Sequence, residues 1–590
     1  MTEATAIRQP KSIDTTPSIF YQVSMSKPAS HLFEVSLQVQ NWQESVLDLK
    51  MPVWTPGSYL VREYARHVQD FQAKSSDDKT ALSSKKISKN HWQISTTNCT
   101  EVTISYRVFA NELTVRTNHL DATHGYFNGA ALFFFIPGWE KQSIRVKIVP
   151  PDADWQVTTT LPLVDRAANI FEAPDFDTLV DSPVEVGQQK IYDFTVLDKP
   201  HSLAIWGEGN AKPEKIIEDT RKIIEVEAKM FGGLPYEQYL FLLHLSGSGY
   251  GGLEHKDSCT LNYPRFGFRD REKYNRFLQL VAHEFFHLWN VKRIRPQALE
   301  TFDYEAENYT TSLWFCEGAT SYYDILIPLK AGIYDRKTFL ENISKDLTRY
   351  FNIPGRNVQP LGESSYDAWI KLYRRDANSD NNQISYYLKG ELVSLLLDLL
   401  IRAKYNNKRS LDDVMRLMWQ RFGVDEIGFT PQQLRVAIAE VADCNLDDFF
   451  ELVIDTTAEL PFEQYLDPFG LYIKAVTDKE SIPYMGIKVH TENGQEIIKF
   501  VEADSPAADG GIDAGDELLA IDGIRVASQS LSERLKDYQI DDIIQVTVFH
   551  QDELKTLPVT LAKPQHSRYE LVVKDNLSAT QQYNLSGWLG

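Results

Sequence analysis

The segment His283-Glu284-Phe285-Phe286-His287 sets two imidazoles four residues apart, with a carboxylate beside the first. On a helix, positions i and i+4 project from one face, one turn above the other. Rings so placed can reach a single divalent ion at about 2.0–2.1 Å, the usual zinc–nitrogen distance. Glu284 then stands where it can take a proton from a metal-bound water, as a peptidase general base does. In and around the segment, Leu278, Leu280, Val281, Phe285, Phe286 and Leu288 supply an apolar face for burial. The bland alternative is a pair of ordinary histidines on an unrelated helix.

A catalytic zinc site needs a third protein ligand and one open position. Asp303, Glu305, Glu307 and Glu317 all follow His287. Glu307 lies at the spacing familiar from zinc peptidases whose third ligand is a glutamate on a second helix. Spacing alone does not decide among them. Context does: Glu305 and Glu307 sit in a polar stretch, whereas Glu317 is embedded in Leu313-Trp314-Phe315-Cys316-Glu317-Gly318-Ala319. An unpaired carboxylate in such apolar company is costly, and a cation partner removes the cost. Glu317 is therefore the expected ligand.

These residues need a scaffold. Short alternating segments from 17 to 200, such as Leu32–Val39, Thr103–Phe109 and Ser143–Val149, predict strands of a two-sheet module. From 201 to 460 the periodicity turns helical, with helices expected over Lys215–Met230, Tyr274–Val291, Ser312–Leu329, Ser385–Lys404 and Leu411–Phe422. After a Pro- and acid-containing linker at 460–470, strands return. The expected class is multi-domain α+β. It comprises a β-sandwich-like domain at 15–200, a mainly helical thermolysin-like peptidase domain at 201–462, a further small domain at 471–565 and a tail at 566–590. At 590 residues the chain is too long for one core.

A net charge of −21 argues against a nucleic-acid partner, which requires a basic face. The four cysteines are scattered, so neither a disulfide framework nor a thiolate metal site is expected. The first twenty residues lack the apolar stretch of a secretory signal, and no run could cross a bilayer, so a cytoplasmic, membrane-free protein is the default expectation. Oligomeric state is not legible. Charge runs are usually solvated, so Lys292, Arg293 and Arg295 receive no catalytic role. His119, His124, His244 and His255 are expected to be hydrogen-bonded residues and not ligands.

HEFFHLWNVKRIRP followed by SLWFCEGATSYY resembles the glycyl aminopeptidase family of zinc metallopeptidases, and the second segment is distantly similar to the aminopeptidase N group. MPVWTPGSYLVR, GGLEHKDS, RDANS and SYYLKGEL extend the likeness over most of the chain. The resemblance implies one zinc ion, with Glu317 as its third ligand. It also implies that Gly251-Gly252-Leu253-Glu254-His255 is the loop whose glutamate holds a substrate's free amine, although Leu253 and His255 replace the Met and Asn of the pattern. Tyr387, in Tyr387-Leu388-Lys389-Gly390, matches the tyrosine that stabilises the oxyanion. Tyr386 lies about 100° round the helix, so only one of the two should face the metal.

Residues 485–526 resemble a PDZ domain, with Asp522-Gly523 as a hairpin signal and a groove helix near Leu531–Tyr538. Such domains add an extended peptide to a sheet edge. The loop Pro483-Tyr484-Met485-Gly486 carries a single glycine, so bracing the catalytic domain stands as an equal expectation. The implied activity is removal of Gly or Ala from peptides with a free N-terminus, through a zinc-bound water and the base Glu284. A PDZ-assisted endopeptidase and a non-catalytic peptide-binding scaffold with a structural metal are the alternatives.

Overall fold

The computed structural model describes residues 17–76, 79–477 and 482–590. Residues 15 and 16, expected to open the first domain, lie outside these. Alternation in SIFYQVS and LFEVSLQVQ builds an antiparallel pair, Ser18–Ser24 with Leu32–Gln40, that buries Ile19, Tyr21, Val23, Phe33, Val35 and Leu37. This pair lies inside a seven-stranded sheet. Smaller three- and four-stranded sheets share its core: Leu47, Leu49, Trp92 and Ile94 come from one, Phe127 and Val186 from the other.

The segment Met51–Arg62 leaves this module and inserts Trp54 and Tyr59 into the neighbouring core, both edge-on to Trp369. That core covers a five-stranded sheet ordered Lys190–Val196, Lys199–Trp206, Tyr239–Ser246, Ser258–Pro264 and Gly251–Glu254. Gly251–Glu254 is its edge strand, antiparallel to Ser258–Pro264. Helices Pro213–Phe231, Arg271–Phe286, Thr320–Lys330 and Tyr386–Tyr405 pack beside it. The fold class is therefore the expected one, with local differences. The helix expected over Tyr274–Val291 ends at Phe286, and His287 caps it while still donating its N–H to His283 O. Beyond it the chain tightens into short turns such as Leu288 N–H to Phe285 O.

A separate core of Met485, Ile498, Leu518, Ile521, Ile544, Val546 and Val559 forms the domain whose sequence resembles a PDZ domain. The strand Leu471–Val476, grouped with that domain on sequence, pairs antiparallel with Arg568–Val573. Leu471 and Leu571 join the core of the helical domain. Residues 566–590 thus include a strand and a helix, Ala579–Leu589, whose Trp588 is fully buried between Phe339 and Phe469. Trp588 Nε1 donates to Tyr322 Oη at 3.0 Å, and Tyr322 in turn donates to Asp398 at 2.6 Å. The chain's last turn therefore props the helix that follows Glu317. Trp588→Ala is expected to cost about 3–5 kcal/mol, the usual loss for a buried Trp. Denaturant unfolding followed on the catalytic core would measure it, and a change below about 1 kcal/mol would mean that this helix is not docked.

Candidate metal centre

The helix Arg271–Phe286 starts at Asp270, whose side chain accepts from Lys273 N–H at 2.9 Å. Phe277, Leu278, Val281 and Phe285 anchor it in the core, leaving His283 and His287 on the cleft side with ring centroids 4.6 Å apart. Glu317 arrives from a turn of π-helix, Trp314–Ala319, that runs into Thr320–Lys330. A continuous α-helix was expected there. The difference has a cause: Asn290 Nδ2 donates to the carbonyls of Phe315 and Cys316, and Thr320 Oγ1 also takes Cys316 O. Side chains that intercept helix carbonyls loosen the ladder, and such π turns recur at functional sites.

Glu317 Oε2 lies 3.2 Å from His287 Nε2 and 3.5 Å from His283 Nε2, and it makes no hydrogen bond. Tetrahedral ligands about 2.0–2.1 Å from zinc stand roughly 3.3 Å apart, so the spacing suits that ion. His287 Nδ1 donates to Asn290 O at 2.7 Å; a carbonyl can only accept, which leaves a lone pair on Nε2. His283 Nδ1 is held by Asp324 Oδ2 at 2.9 Å, the carboxylate–imidazole pairing typical behind a metal. Burial pushes Glu317 up, but His287 and His283 hold it at about 2. Burial alone would lower both histidines; Asp324 and Glu317 raise His283, and Glu317 and Glu254 raise His287. The pocket is built for positive charge. The donor set and its spacing fit zinc.

Of the four acids weighed on sequence, Glu317 is the one within 4.8 Å of both histidines among the described residues. Glu305 instead pairs with Lys50 at 2.7 Å. The basic run is neutralised internally, Lys292 by Asp181 at 2.6 Å and Arg293 by Asp257 at 3.0 Å.

Glu284 is 5% exposed, and burial, reinforced by Glu254 and Glu317, lifts its carboxyl to about 7 against the pull of the two histidines. Its carboxyl group occupies the space a side chain on Gly252 would need, since a Cβ there would stand 2.2 Å from it. Gly252 thus makes room for Glu284. Glu254, at the end of the edge strand, lies within 4.8 Å of Glu284 and His287, and its buried Oε1 has no partner. Pro56 and Gly57 line the cavity beside it, and a Cβ on Gly57 would clash with the Glu254 carboxylate at 2.5 Å.

Tyr387 is the second residue of the helix Tyr386–Tyr405. Its ring lies 6.2 Å from that of His283, nearly parallel, and its hydroxyl is 3.2 Å from Tyr373 Oη. Tyr386 is fully buried, whereas Tyr387 is half-exposed to the cleft. Gly318 and Gly390 touch where the two helices cross, with a Cβ on Gly318 only 2.5 Å from Gly390 Cα. Any side chain at that crossing would separate Glu317 from Tyr387.

A second cluster, His124, Glu185 and His244, is fully buried. Here His124 Nδ1 and His244 Nε2 lie 2.6 and 2.8 Å from separate oxygens of Glu185, distances of hydrogen bonds and too short for ligands flanking one ion. Burial raises Glu185, yet the two imidazoles hold it at about 2. The cluster straps the strands His124–Phe127 and Val184–Gly187 to Tyr239–Ser246 of the catalytic sheet.

The sequence missed Asp324, Asn290, Tyr373 and Arg116. Asp324 was findable, seven residues after Glu317 on the same helix face. The others are brought in by tertiary structure.

With the geometry in place, the sequence matches the Peptidase M61 N-terminal domain over residues 20–188, M61 glycyl aminopeptidase over 276–393 and a PDZ domain over 483–561. Comparison with curated proteins gives no match. Among solved structures, an aminopeptidase N family protein from Idiomarina loihiensis is 31% identical, with a TM-score of 0.91 over 97% of this chain and 100% of that one. An M1 zinc metallopeptidase from Deinococcus radiodurans is 12% identical, with a TM-score of 0.46 over 75% and 95%. Among the described residues no helix is long and apolar enough to cross a membrane.

Proposed function

This chain belongs to the M61 glycyl aminopeptidase family of zinc metallopeptidases, and on that premise we propose that it removes small first residues, Gly and Ala, from peptides with a free N-terminus. His283, His287 and Glu317 are the residues that would hold one zinc ion. When bound, zinc supplies Lewis acidity, polarising a carbonyl and making water acidic enough to attack at neutral pH. Glu284 accepts the proton of the attacking water and returns it to the leaving amine, a role suited to a carboxyl raised towards neutrality. The Tyr387 hydroxyl donates to the carbonyl oxygen as negative charge grows on it.

The reading is carried by Glu254. Its buried, partnerless Oε1 beside the base offers an ammonium a charge-assisted bond that the interior of a chain cannot make. Behind it Trp54, Gly57 and Tyr59 line a small cavity together with Val291, Lys292 and Leu299. The unpartnered carboxylate favours a free N-terminus over an internal residue. Acetylating the amine of a glycyl anilide is expected to lower kcat/KM at least about 100-fold, the worth of a charged hydrogen bond plus the lost fit. Equal turnover of blocked and free substrates would establish an endopeptidase instead.

The PDZ groove, between the strand Ile487–Glu492, an edge of its sheet among the described residues, and the helix Leu531–Leu535, opens a cavity of about 660 Å³ facing Phe351 and Arg356 of the catalytic module. We assign it to peptide as well.

A further inference from the structure

Two arginines of the N-terminal domain reach the cleft without forming an ion pair among the described residues. Arg116 comes from the loop after the strand Glu101–Phe109, and its backbone carbonyl is held by Tyr64 Oη at 2.8 Å. Its Nη2 donates to Gly252 O at 3.2 Å, Nη1 faces Gly251, and its buried Nε has no partner. Tyr373, Tyr387, Glu284 and Glu254 all lie within its field. Arg62 follows the Pro56-Gly57 turn, donates to Ser58 Oγ at 2.9 Å and likewise buries an unpartnered Nε. Among the described residues neither has a carboxylate within ion-pair distance. That is unusual in a chain of net charge −21, whose other cleft-side cations, Lys292 and Arg293, are paired. Desolvated guanidinium groups left unpaired are costly, so the site is shaped for an anion that arrives from outside.

Position identifies the anion. The edge strand runs from Gly251 to Glu254, rising about 3.3 Å per residue. Glu254 marks the amine end, and Glu284 packs against Gly252 at the reacting centre. Arg116 touches the carbonyl of Gly252, two residues or about 7 Å along the strand from Glu254, on the leaving-group side. That is about the span from amino group to carboxylate in an extended dipeptide. Beyond it, Arg62, Tyr64, Tyr373 and Arg374 line a cavity of about 310 Å³ that takes the anion's side chain or one more residue; Glu112, which also lines it, is paired with Arg66 at 3.1 Å.

We propose that Arg116, supported by Arg62, binds the free α-carboxylate of the residue that leaves, so that the preferred substrates are dipeptides and very short peptides with an unblocked C-terminus. The planar fork of a guanidinium suits a carboxylate held by two parallel bonds. The proposal rests on the aminopeptidase reading above.

The test compares Gly-Ala with its C-terminal amide, Gly-Ala-NH2, on the zinc-loaded full chain. Wild type is expected to favour the acid by about 10–100-fold in kcat/KM, the value of one charged hydrogen-bonded pair, with the difference mainly in KM because the pair exists before and during reaction. In Arg116→Met the ratio of acid to amide falls towards one, and Arg116→Lys restores part of it. Equal use of acid and amide by wild type overturns the proposal without any variant. So does an Arg116→Met enzyme that loses both activities in the same proportion. If neither dipeptide is cleaved while zinc is bound, the aminopeptidase reading itself fails, which is a different result.

Discussion

Glu284→Gln is expected to lower kcat/KM on a glycyl substrate by about 100- to 10,000-fold while zinc stays bound, the usual contribution of a general base. The amide keeps the shape that fits against Gly252, so the edge strand and its neighbour Glu254 stay in place. Neither zinc-facing Nε2 atom nor Glu317 is touched. What changes is proton chemistry: an amide cannot accept the proton of the attacking water or hand it to the leaving nitrogen. With His283, His287 and Glu317 unchanged, metal content should remain stoichiometric by mass spectrometry. Residual turnover within tenfold of wild type would show that another group is the base.

Much of this centre could be read from sequence because its chemistry is local. His283, Glu284 and His287 lie within one turn and a residue, and Glu317 stands out as a charge in an apolar run. The β-then-helical-then-β texture gave the class of each domain for the same reason, since period-two and helical patterns are properties of short windows. Long-range pairings left no such trace. Asn290 looks like any polar residue after a helix, yet it accepts from His287 through its carbonyl and pulls two carbonyls out of the Glu317 turn. Arg116 sits in a loop of another domain. Trp588 lies in a polar C-terminal stretch whose only apolar signal is a few residues at helical spacing, and its target, Tyr322, is 266 residues away.

The same distinction shows why the PDZ domain is more than an appendage. Asn381 binds Val501 O and Ala503 N–H, each at 3.0 Å, and Asp380 pairs with Lys488 at 3.1 Å on the groove strand. These residues belong to the connection between Tyr373 and Tyr387, whose hydroxyls are in contact. The domain therefore holds the loop that seats both phenols, so bracing and peptide capture are not competing uses of it.

Glu317→Gln is expected to weaken zinc binding by more than about 100-fold, beyond the 10–100-fold typical for losing a supporting partner behind a ligand. The two substituents are nearly the same size, and the neighbouring contact of Gly318 with Gly390 is untouched, so the effect isolates charge. In wild type the carboxylate faces two imidazoles whose other nitrogens are committed to Asn290 and Asp324. A neutral amide in its place presents either a weak carbonyl donor or an N–H₂ group that repels the ion. Competition with a chelator measures the affinity directly. Thermal unfolding gives an independent reading, because zinc at 100 times its Kd stabilises wild type by about 2.7 kcal/mol, a gain that the variant forfeits at the same concentration. Glu307→Gln, which changes an acid with no place beside the histidines, is the matched control and should bind zinc as wild type does. Undiminished zinc affinity in Glu317→Gln would leave the two histidines without their third ligand and would undo the assignment of the site.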